Sequence, residues 1–451
     1  MESFDTIIIG AGITGLCAGW YARAAGDFVC VLEAAERPGG WAHTIAEDGF
    51  QFDWGPNGFL DREPQMLEWI AALGLSDQLV QANEAAARRF ILRNGKLVEI
   101  VPPPKFLVSP LLSVPGRARL MFEPLIKART DPSPESIHAF AARRIGREAA
   151  DVLVSSMVSG VFGGDAKQLS LAHCFPRMAA MEAEHGSLFR AMMAKAKEAK
   201  WSGAKSGSAM GPGGTLTTLR GGIGQIIARA SESLGDALQL GVSVERISRI
   251  DDAFRVECAN DRAFEVRRVV LATPPKATAA MIAELAPEAS TRLAGVESVN
   301  MAVVCTAYPR AAVGHDMKGF GFLVPRVEGK RVLGCLWTSS IFPHQAPEGW
   351  VLLRTMIGGA TDPEAVDLTD AELLALVAKE VHPLLDIHTP PEVVRIFKHR
   401  DSIPQYGLGH QAVLDATDAA TLAHPGLRFA GNAYRGVSLN DCVVSARAAV
   451  A

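Results

Sequence analysis

The sequence predicts an α/β fold, and three observations lead to that prediction. A strand, a glycine-rich turn, a helix and a second strand follow one another over residues 4–32. A last buried strand, turn and helix over residues 427–451 mirror that opening unit. Between the two lie a proline-punctuated, mostly helical stretch and a stretch of strands with turns. This order fits a Rossmann-like domain that the chain leaves twice, once for a mostly helical insert and once for a mixed-sheet domain.

The opening unit contains a GxGxxG turn. Residues 6–9 are a β-branched, uncharged run that reads as a strand buried on both faces. In the turn, Gly10 allows the tight bend, Gly12 lets a pyrophosphate approach the backbone, and Gly15 lets helix and strand pack closely. Glu33 ends the second strand, 18 positions after Gly15, where a carboxylate accepts hydrogen bonds from a ribose hydroxyl. The unit predicts dinucleotide binding, and a glycine-rich loop without a ligand is the alternative.

The residues after Glu33 indicate which dinucleotide binds. Arg37, Gly39 and Gly40 complete an ExxxRxGG pattern, and a basic residue with two glycines here forms a second backbone nest beside the pyrophosphate. The pattern resembles that of the flavoprotein family of amine oxidases, phytoene desaturases and protoporphyrinogen oxidases. The resemblance implies FAD rather than NAD, whereas an ordinary strand-to-loop turn is the alternative interpretation.

Composition narrows the classes of function. At 451 residues, with 48% hydrophobic and 21% charged residues, the chain is that of a folded protein of two or three domains. The net charge of −4 argues against general nucleic-acid binding. Seven dispersed cysteines without a CxxC pair predict a reducing compartment and a cytoplasmic location. The histidines show no metal-binding spacing, so no metal is expected. The sequence contains no run of 18 or more uncharged apolar residues, so no membrane-spanning helix is expected.

Residues 86–129 form a basic, proline-rich segment, with nine Lys or Arg against two Glu and with apolar side chains between the cations. Such a segment suits the headgroup region of an anionic bilayer, so the insert is expected to face a membrane from the cytoplasmic side. It also suits a vestibule that attracts carboxylated substrates. A solvated basic surface over buried leucines is the third interpretation.

The predicted domain divisions follow these segments. The FAD-binding domain comprises residues 1–85, 206–280 and 401–451, the helical substrate- and membrane-facing insert residues 86–205, and the substrate-binding domain residues 281–400. A Gly/Ser/Pro-rich connection over residues 202–214 joins the insert to the second part of the FAD-binding domain.

Over nearly its full length, the chain resembles the oxygen-dependent, FAD-containing protoporphyrinogen oxidases. Beyond the two motifs above, the similar segments are GPNGF (55–59), RRFILRNG (88–95), FGGDAKQLS (162–170), VVLATPP (269–275), GFLVP (321–325), LGCLWTSSIFP (333–343) and FAGNAYRGVSLNDC (429–442). The order and spacing of these segments make the resemblance specific.

The resemblance implies a role for individual residues. The implied FAD contacts are Gly10, Gly12, Gly15, Glu33, Arg37, Gly40, Val244, Gly431 and Val437. Arg89 would hold a propionate, because a guanidinium fork suits a carboxylate. Leu323 and Leu336 would sandwich a macrocycle, with Met356 at a third position that is often aromatic in the family. Asn57 falls in a loop near the flavin.

The implied reaction removes six electrons from protoporphyrinogen IX in three hydride transfers to the flavin, which O2 reoxidises with release of H2O2. Orientation and a dry pocket suffice for this chemistry, so no proton-transfer residue is assigned. Oxidation of coproporphyrinogen III by the same fold is the main alternative. A flavin amine oxidase is less favoured, because residues 332–342 contain no lysine and the chain has four tyrosines. A non-enzymatic binder of a lipidated partner is the last alternative, and a homodimer stays open.

Overall fold

A computed structural model describes residues 2–102, 104–202, 214–259 and 261–451. The strands are β1 Glu2–Ile9, β2 Val29–Leu32, β3 Thr44–Glu47, β4 Phe50–Asp53, β5 Phe59–Leu60, β6 Leu79–Gln81, β7 Phe90–Arg93, β8 Lys96–Glu99, β9 Leu216–Leu219, β10 Leu238–Gln239, β11 Val244–Ile250, β12 Ala253–Cys258, β13 Ala263–Leu271, β14 Ser298–Pro309, β15 Gly321–Leu323, β16 Val332–Trp337, β17 Trp350–Gly358, β18 Val393–Pro404 and β19 Leu427–Phe429.

The α-helices are α1 Ile13–Ala24, α2 Pro64–Ala72, α3 Val114–Met121, α4 Ile137–Ile145, α5 Arg147–Ala149, α6 Ser155–Phe162, α7 Leu171–Cys174, α8 Pro176–His185, α9 Leu188–Ser202, α10 Gly224–Leu234, α11 Pro275–Met281, α12 Pro287–Ala294, α13 Thr338–Ile341, α14 Asp370–Glu380, α15 His382–Leu385, α16 His410–Ala423 and α17 Leu439–Val450. The predicted connection after residue 202, and the predicted domain boundary between 205 and 206, lie outside the described residues.

The first sheet is the nucleotide-binding sheet. Its strand order is β10-β2-β1-β13-β12-β11, with β19 beside the end of β13. β10, β2, β1, β13 and β19 run parallel, and only β12 runs in the opposite direction, so its pairings with β13 and with β11 are both antiparallel. Ile7 and Ile8 of β1 are both fully buried, one toward each face, in two separate hydrophobic clusters. The predicted burial of this strand on both faces is confirmed, and it follows from the helices that cover a parallel sheet on each side.

The second sheet has the order β18-β14-β17-β16-β15-β7-β8 and is antiparallel except where β15 meets β7. One of its faces packs against α14 and α15 in a shared hydrophobic cluster. The sequence RFILRNGKLVEI (residues 89–100) predicts a hairpin around Asn94 and Gly95, and the structure confirms it as the β7–β8 pair. Asn94 and Gly95 both have positive φ (50° and 74°), as a type I′ turn requires. This hairpin extends the second sheet although the predicted insert includes it. Two small sheets, β3-β4 and β5-β9-β6, complete the fold.

Helices α3–α9 form the insert. The helical pattern of residues 176–200 predicts one helix, but the structure has two, α8 and α9, separated by Gly186 (φ 67°). The buried pair Arg144 and Glu123 joins the insert internally, with Arg144 Nε 2.8 Å from Glu123 Oε1. Glu123 also accepts from the N–H of Leu188 at the start of α9. Among the described helices, none has the length and apolar character needed to cross a membrane.

Candidate functional site

The turn between β1 and α1 is built around two glycines that cannot carry side chains. Gly10 has a φ of 99°, and a Cβ on Gly15 would lie 1.7 Å from the carbonyl oxygen of Gly10. Gly12 differs, because nothing lies within 4 Å of where its Cβ would be. Gly12 caps α1 without a side-chain hydrogen bond, so the first N–H groups of the helix face this open space. The turn therefore forms a cradle suited to a pyrophosphate.

Glu33 and the loop after it close the sides of this cradle. Glu33 accepts hydrogen bonds from the N–H of Ala11 (2.6 Å) and of Ala35 (2.9 Å), one on each carboxylate oxygen. Each oxygen keeps a lone pair for a ribose hydroxyl. The N–H of Gly39 donates to the carbonyl of Ala11 (2.7 Å), which lays the ExxxRxGG loop across the turn. A Cβ on Gly40 would lie 3.7 Å from the Cα of Gly12.

Arg37 is held inside this loop. Its guanidinium lies 4.3 Å from the ring centroid of Trp54 and donates to the carbonyl of Gly40 (3.1 Å). Partial burial lowers the pKa of Arg37, although Glu33 opposes that shift. The guanidinium is thus held beside the cradle by the Trp54 ring and the Gly40 carbonyl.

The C-terminal turn, residues 431–438, passes over the start of α1. Gly431 has a φ of 116°, and a Cβ there would lie 3.5 Å from the Thr14 hydroxyl. Val437 packs against the insert cluster around Phe162. α17 follows at once, with a capping box at its N-terminus. Val244, at the start of β11, lies two residues after Val242, whose N–H donates to the carbonyl of Glu33 (2.8 Å).

A further observation supports the fit between FAD and the residues at this site. The side-chain nitrogens of Asn57 and Trp54 are buried and have no hydrogen-bond partner among the described residues. Buried donors without an acceptor are costly, and a ligand with acceptors at these positions would satisfy both of them. Together with the open space above Gly12, these donors mark out room for a cofactor with polar edges.

The four predicted macrocycle and propionate contacts share one face of the second sheet. Leu336 pairs with Gly321, Leu323 with Gly334, and Gly334 with Met356. Opposite residues of paired strands point to the same side, so Leu323, Leu336 and Met356 lie on one face. Leu323 also pairs with Ile91 of β7, which places Arg89, two residues earlier, on that face as well. This apolar face is open enough that all three apolar residues remain partly exposed.

Arg89 is exposed and lies at the edge of this face. Its guanidinium lies 5.0 Å from the ring centroid of Phe320, and no described carboxylate forms an ion pair with it. Arg88 differs, because it pairs with Glu99 (2.9 Å) and Asp316 (3.5 Å). The positive charge of Arg89 is therefore available to a carboxylate ligand.

Two further residues on the same face were missed by sequence reasoning. Arg354, only 6% exposed, donates to the carbonyls of Trp54 (3.1 Å) and Gly55. His399 donates from Nε2 to the carbonyl of Trp54 (2.9 Å), and burial lowers the pKa of His399 so that its ring is neutral. Both side chains hold the loop that carries Asn57. A charged residue inside the apolar strand WVLLRTMIG was the available signal for Arg354.

The nucleotide cradle, the ribose carboxylate, the second glycine pair and the returning C-terminal helix define an FAD-dependent oxidoreductase. A family model described as flavin containing amine oxidoreductase matches residues 13–451, and the chain belongs to that family. The predicted flavoprotein family and FAD as cofactor are confirmed.

Individual relatives agree with this family. The chain is 30% identical to a coproporphyrinogen III oxidase of Bacillus subtilis (strain 168), over 98% of this chain and 96% of that protein. It is also 30% identical to a chloroplastic protoporphyrinogen oxidase of Nicotiana tabacum, over 98% of this chain and 84% of that protein. A crystal structure from Exiguobacterium sp. 255-15, of a protein proposed to be a protoporphyrinogen oxidase, superposes with a TM-score of 0.84. The two sequences are 27% identical, and the superposition covers 100% of this chain and 98% of the Exiguobacterium chain.

Gly12→Ala is expected to separate cofactor binding from folding. The added methyl group meets no protein atom, and the φ of −65° at Gly12 suits alanine. The methyl group would instead occupy space meant for the pyrophosphate, so we expect FAD affinity to fall by about tenfold or more. Flavin titration of the apoprotein measures the affinity, and thermal unfolding of the apoprotein should be unchanged. Wild-type FAD affinity in this variant would contradict the assignment of the cradle.

Proposed function

We propose that the chain oxidises protoporphyrinogen IX to protoporphyrin IX, with three O2 reduced to three H2O2, in tetrapyrrole biosynthesis. The observation that carries this proposal is the shared face of the second sheet. There, an apolar strip of Leu323, Leu336 and Met356 ends at Arg89, a guanidinium that forms no ion pair with a carboxylate among the described residues. An apolar macrocycle with propionate arms matches that arrangement of surface and charge.

The residues of the chain contribute orientation to this reaction. FAD would supply the redox chemistry when bound, as the acceptor of the substrate's hydrides. Leu336 and Met356 present apolar surface to the macrocycle, and Arg89 fixes its position through a propionate. Each two-electron step removes a hydride and a proton from the substrate, and the three protons released per porphyrin are taken up again when O2 is reduced to H2O2. We assign no side chain to this proton transfer, because the chain contributes a held substrate and the exclusion of water.

The charges on this face favour a dicarboxylate over a tetracarboxylate. Across β7, β15, β16 and β17, the basic residues on the cleft-facing side are Arg89, Arg93 and Arg354. Arg93 pairs with Glu148 (3.0 Å), and Arg354 is bonded to main-chain carbonyls. One uncommitted guanidinium suits a substrate with two propionates, one of them at the solvent edge. Coproporphyrinogen III is the second candidate substrate. The Bacillus subtilis relative, which matches this chain over nearly its full length, is named a coproporphyrinogen III oxidase.

Aerobic turnover of protoporphyrinogen IX and coproporphyrinogen III by the FAD-loaded protein tests the proposal. Porphyrin fluorescence reports product, and peroxide is assayed on the same sample. We expect the higher kcat/KM with protoporphyrinogen IX and three peroxides per porphyrin. A higher kcat/KM with coproporphyrinogen III would keep the reaction type and replace the substrate. Oxidation of neither substrate by flavin-loaded protein would overturn the proposal.

Arg89→Ala is expected to raise KM for the porphyrinogen about 10- to 100-fold with a smaller change in kcat, because one charge-assisted hydrogen bond contributes about 1.5–3 kcal/mol. Arg88→Ala is the matched control, since it removes an adjacent guanidinium that is already paired with Glu99. Arg89→Lys should retain part of the effect. Equal KM values for Arg89→Ala and wild type would show that Arg89 does not hold the propionate.

We also propose that the insert rests on an anionic membrane from the cytoplasmic side. Ten of the seventeen exposed large apolar residues found in the described chain lie on it: Leu107, Val108, Val114, Met121, Phe122, Leu125, Met157, Val161, Met178 and Met193. Lys105, Arg117 and Lys127 lie among them in sequence. Apolar groups that enter the headgroup region, together with nearby cations, suit such a surface.

Flotation with vesicles of phosphatidylglycerol and phosphatidylcholine tests this surface. The double variant Val108→Asp and Leu125→Asp places carboxylates at positions that are 79% and 74% exposed, and we expect it to lose at least half of the bound fraction. Leu422→Asp, at an 81% exposed site on α16, should bind like wild type. Binding should also fall as salt rises from low to 0.5 M, because the cations are screened. Unchanged flotation of the double variant would rule out this face.

A further inference from the structure

Tyr406 lies where three parts of the chain meet: the segment after β18, the insert and the C-terminal turn. Its side chain is 1% exposed. The hydroxyl donates to the carbonyl of Asn432 (2.6 Å) and accepts from the N–H of Gly436 (2.9 Å). The main-chain carbonyl of Tyr406 accepts from the N–H of Ser170 in the insert (2.8 Å). One residue thus ties both the turn and the insert to the same point.

His410 completes the support of the turn. Its ring stacks on the Tyr406 ring, with centroids 4.1 Å apart and an interplanar angle of 17°. Its Nε2 donates a hydrogen bond to the carbonyl of Tyr434 (2.7 Å). His410 is 3% exposed, and burial lowers its pKa to about 4, so the ring is neutral near pH 7. The edge of the His173 ring, from the insert, lies against His410 with centroids 5.1 Å apart.

Two side chains therefore fix three main-chain groups of one turn, at positions 432, 434 and 436. Gly436 has a φ of 138°, and glycine, which has no Cβ, restricts its own backbone less than other residues do. The turn therefore depends on these hydrogen bonds to keep one conformation. If a support is removed, a buried main-chain group loses its partner, and the turn gains other conformations. The turn leads directly into α17, whose positive N-terminal end stabilises negative charge on a group bound beside it.

We propose that Tyr406 and His410 are positioning residues for the flavin. They hold the turn of residues 431–438 in the conformation that binds FAD, and they act through its main chain without contacting FAD themselves. The inference rests on the proposed contacts of Gly431 and Val437 with FAD. It does not depend on the substrate, because its test needs no porphyrinogen.

Tyr406→Phe removes only the hydroxyl group. We expect FAD affinity to fall about tenfold in titrations of the apoprotein, the visible spectrum of the bound flavin to change, and its reduction potential to become more negative. Tyr308→Phe is the matched control. Tyr308 is also fully buried, and its hydroxyl is bonded to His382 (2.8 Å), but it lies in the core of the second sheet. Tyr308→Phe should lower Tm and leave the FAD affinity, spectrum and potential unchanged.

The pair His410→Gln and His410→Leu gives an independent comparison that also applies if Tyr406→Phe fails to fold. Glutamine can still donate to the carbonyl of Tyr434, whereas leucine cannot, so the leucine variant should bind FAD more weakly than the glutamine variant. The proposal is overturned if Tyr406→Phe lowers Tm but keeps wild-type FAD affinity, spectrum and potential, or if the two His410 variants bind FAD equally. If Gly12→Ala loses FAD while all of these variants keep it with wild-type affinity, spectrum and potential, the cradle binds the cofactor and Tyr406 and His410 do not position it, which overturns the proposal.

Discussion

The close approach of α1 to the end of β1 is the constraint on which the rest of this structure depends. It exists because Gly15 has no side chain, and any Cβ there would overlap the carbonyl of Gly10. With α1 pressed onto the strand, its N-terminus opens toward the space above Gly12, and the loop at Gly39 can bond across the turn. α17 packs along α1 in the same hydrophobic cluster, so the position of this C-terminal helix also depends on that contact. The FAD site is therefore assembled from distant segments around one short turn.

The structure handles charge at the site in two different ways. Arg354 is buried and forms no ion pair with a carboxylate among the described residues. Its Nη2 donates to main-chain carbonyls of the Asn57 loop, whereas its Nε has no described hydrogen-bond partner. Asp53 nearby is buried as well, and burial raises its pKa while hydrogen bonds from Thr44 and Gln345 oppose that shift. Arg89 is the opposite case, because it is exposed and no carboxylate in the described part of the chain forms an ion pair with it. Charges that shape the loop are thus committed to the protein, whereas the charge at the cleft edge is left to a ligand.

Local chemistry explains which features could be predicted from the sequence. The glycine turn, the ribose carboxylate and the β7–β8 hairpin each depend on residues close together in the chain, and all three form as the pattern indicates. The roles of Arg354, Tyr406 and His410 could not be predicted, because each depends on a partner that a strand register or a distant turn brings near. The break at Gly186 was missed for another reason: the helical pattern continues on both sides of that residue, and one left-handed glycine ends a helix without altering it.

The insert connects the parts of the site that the two sheets provide. α6 lies against the proposed substrate face of the second sheet, since a Cβ on Gly160 would lie 2.7 Å from Leu323. Phe162, at the end of the same helix, belongs to the cluster that receives Val437 from the C-terminal turn. The segment after it reaches Tyr406 through Ser170. A displacement of α6 would therefore alter the width of the cleft and the support of the flavin turn together. Because the exposed apolar residues Met157 and Val161 lie on this same helix, the proposed membrane contact would bear on the element that joins substrate and cofactor.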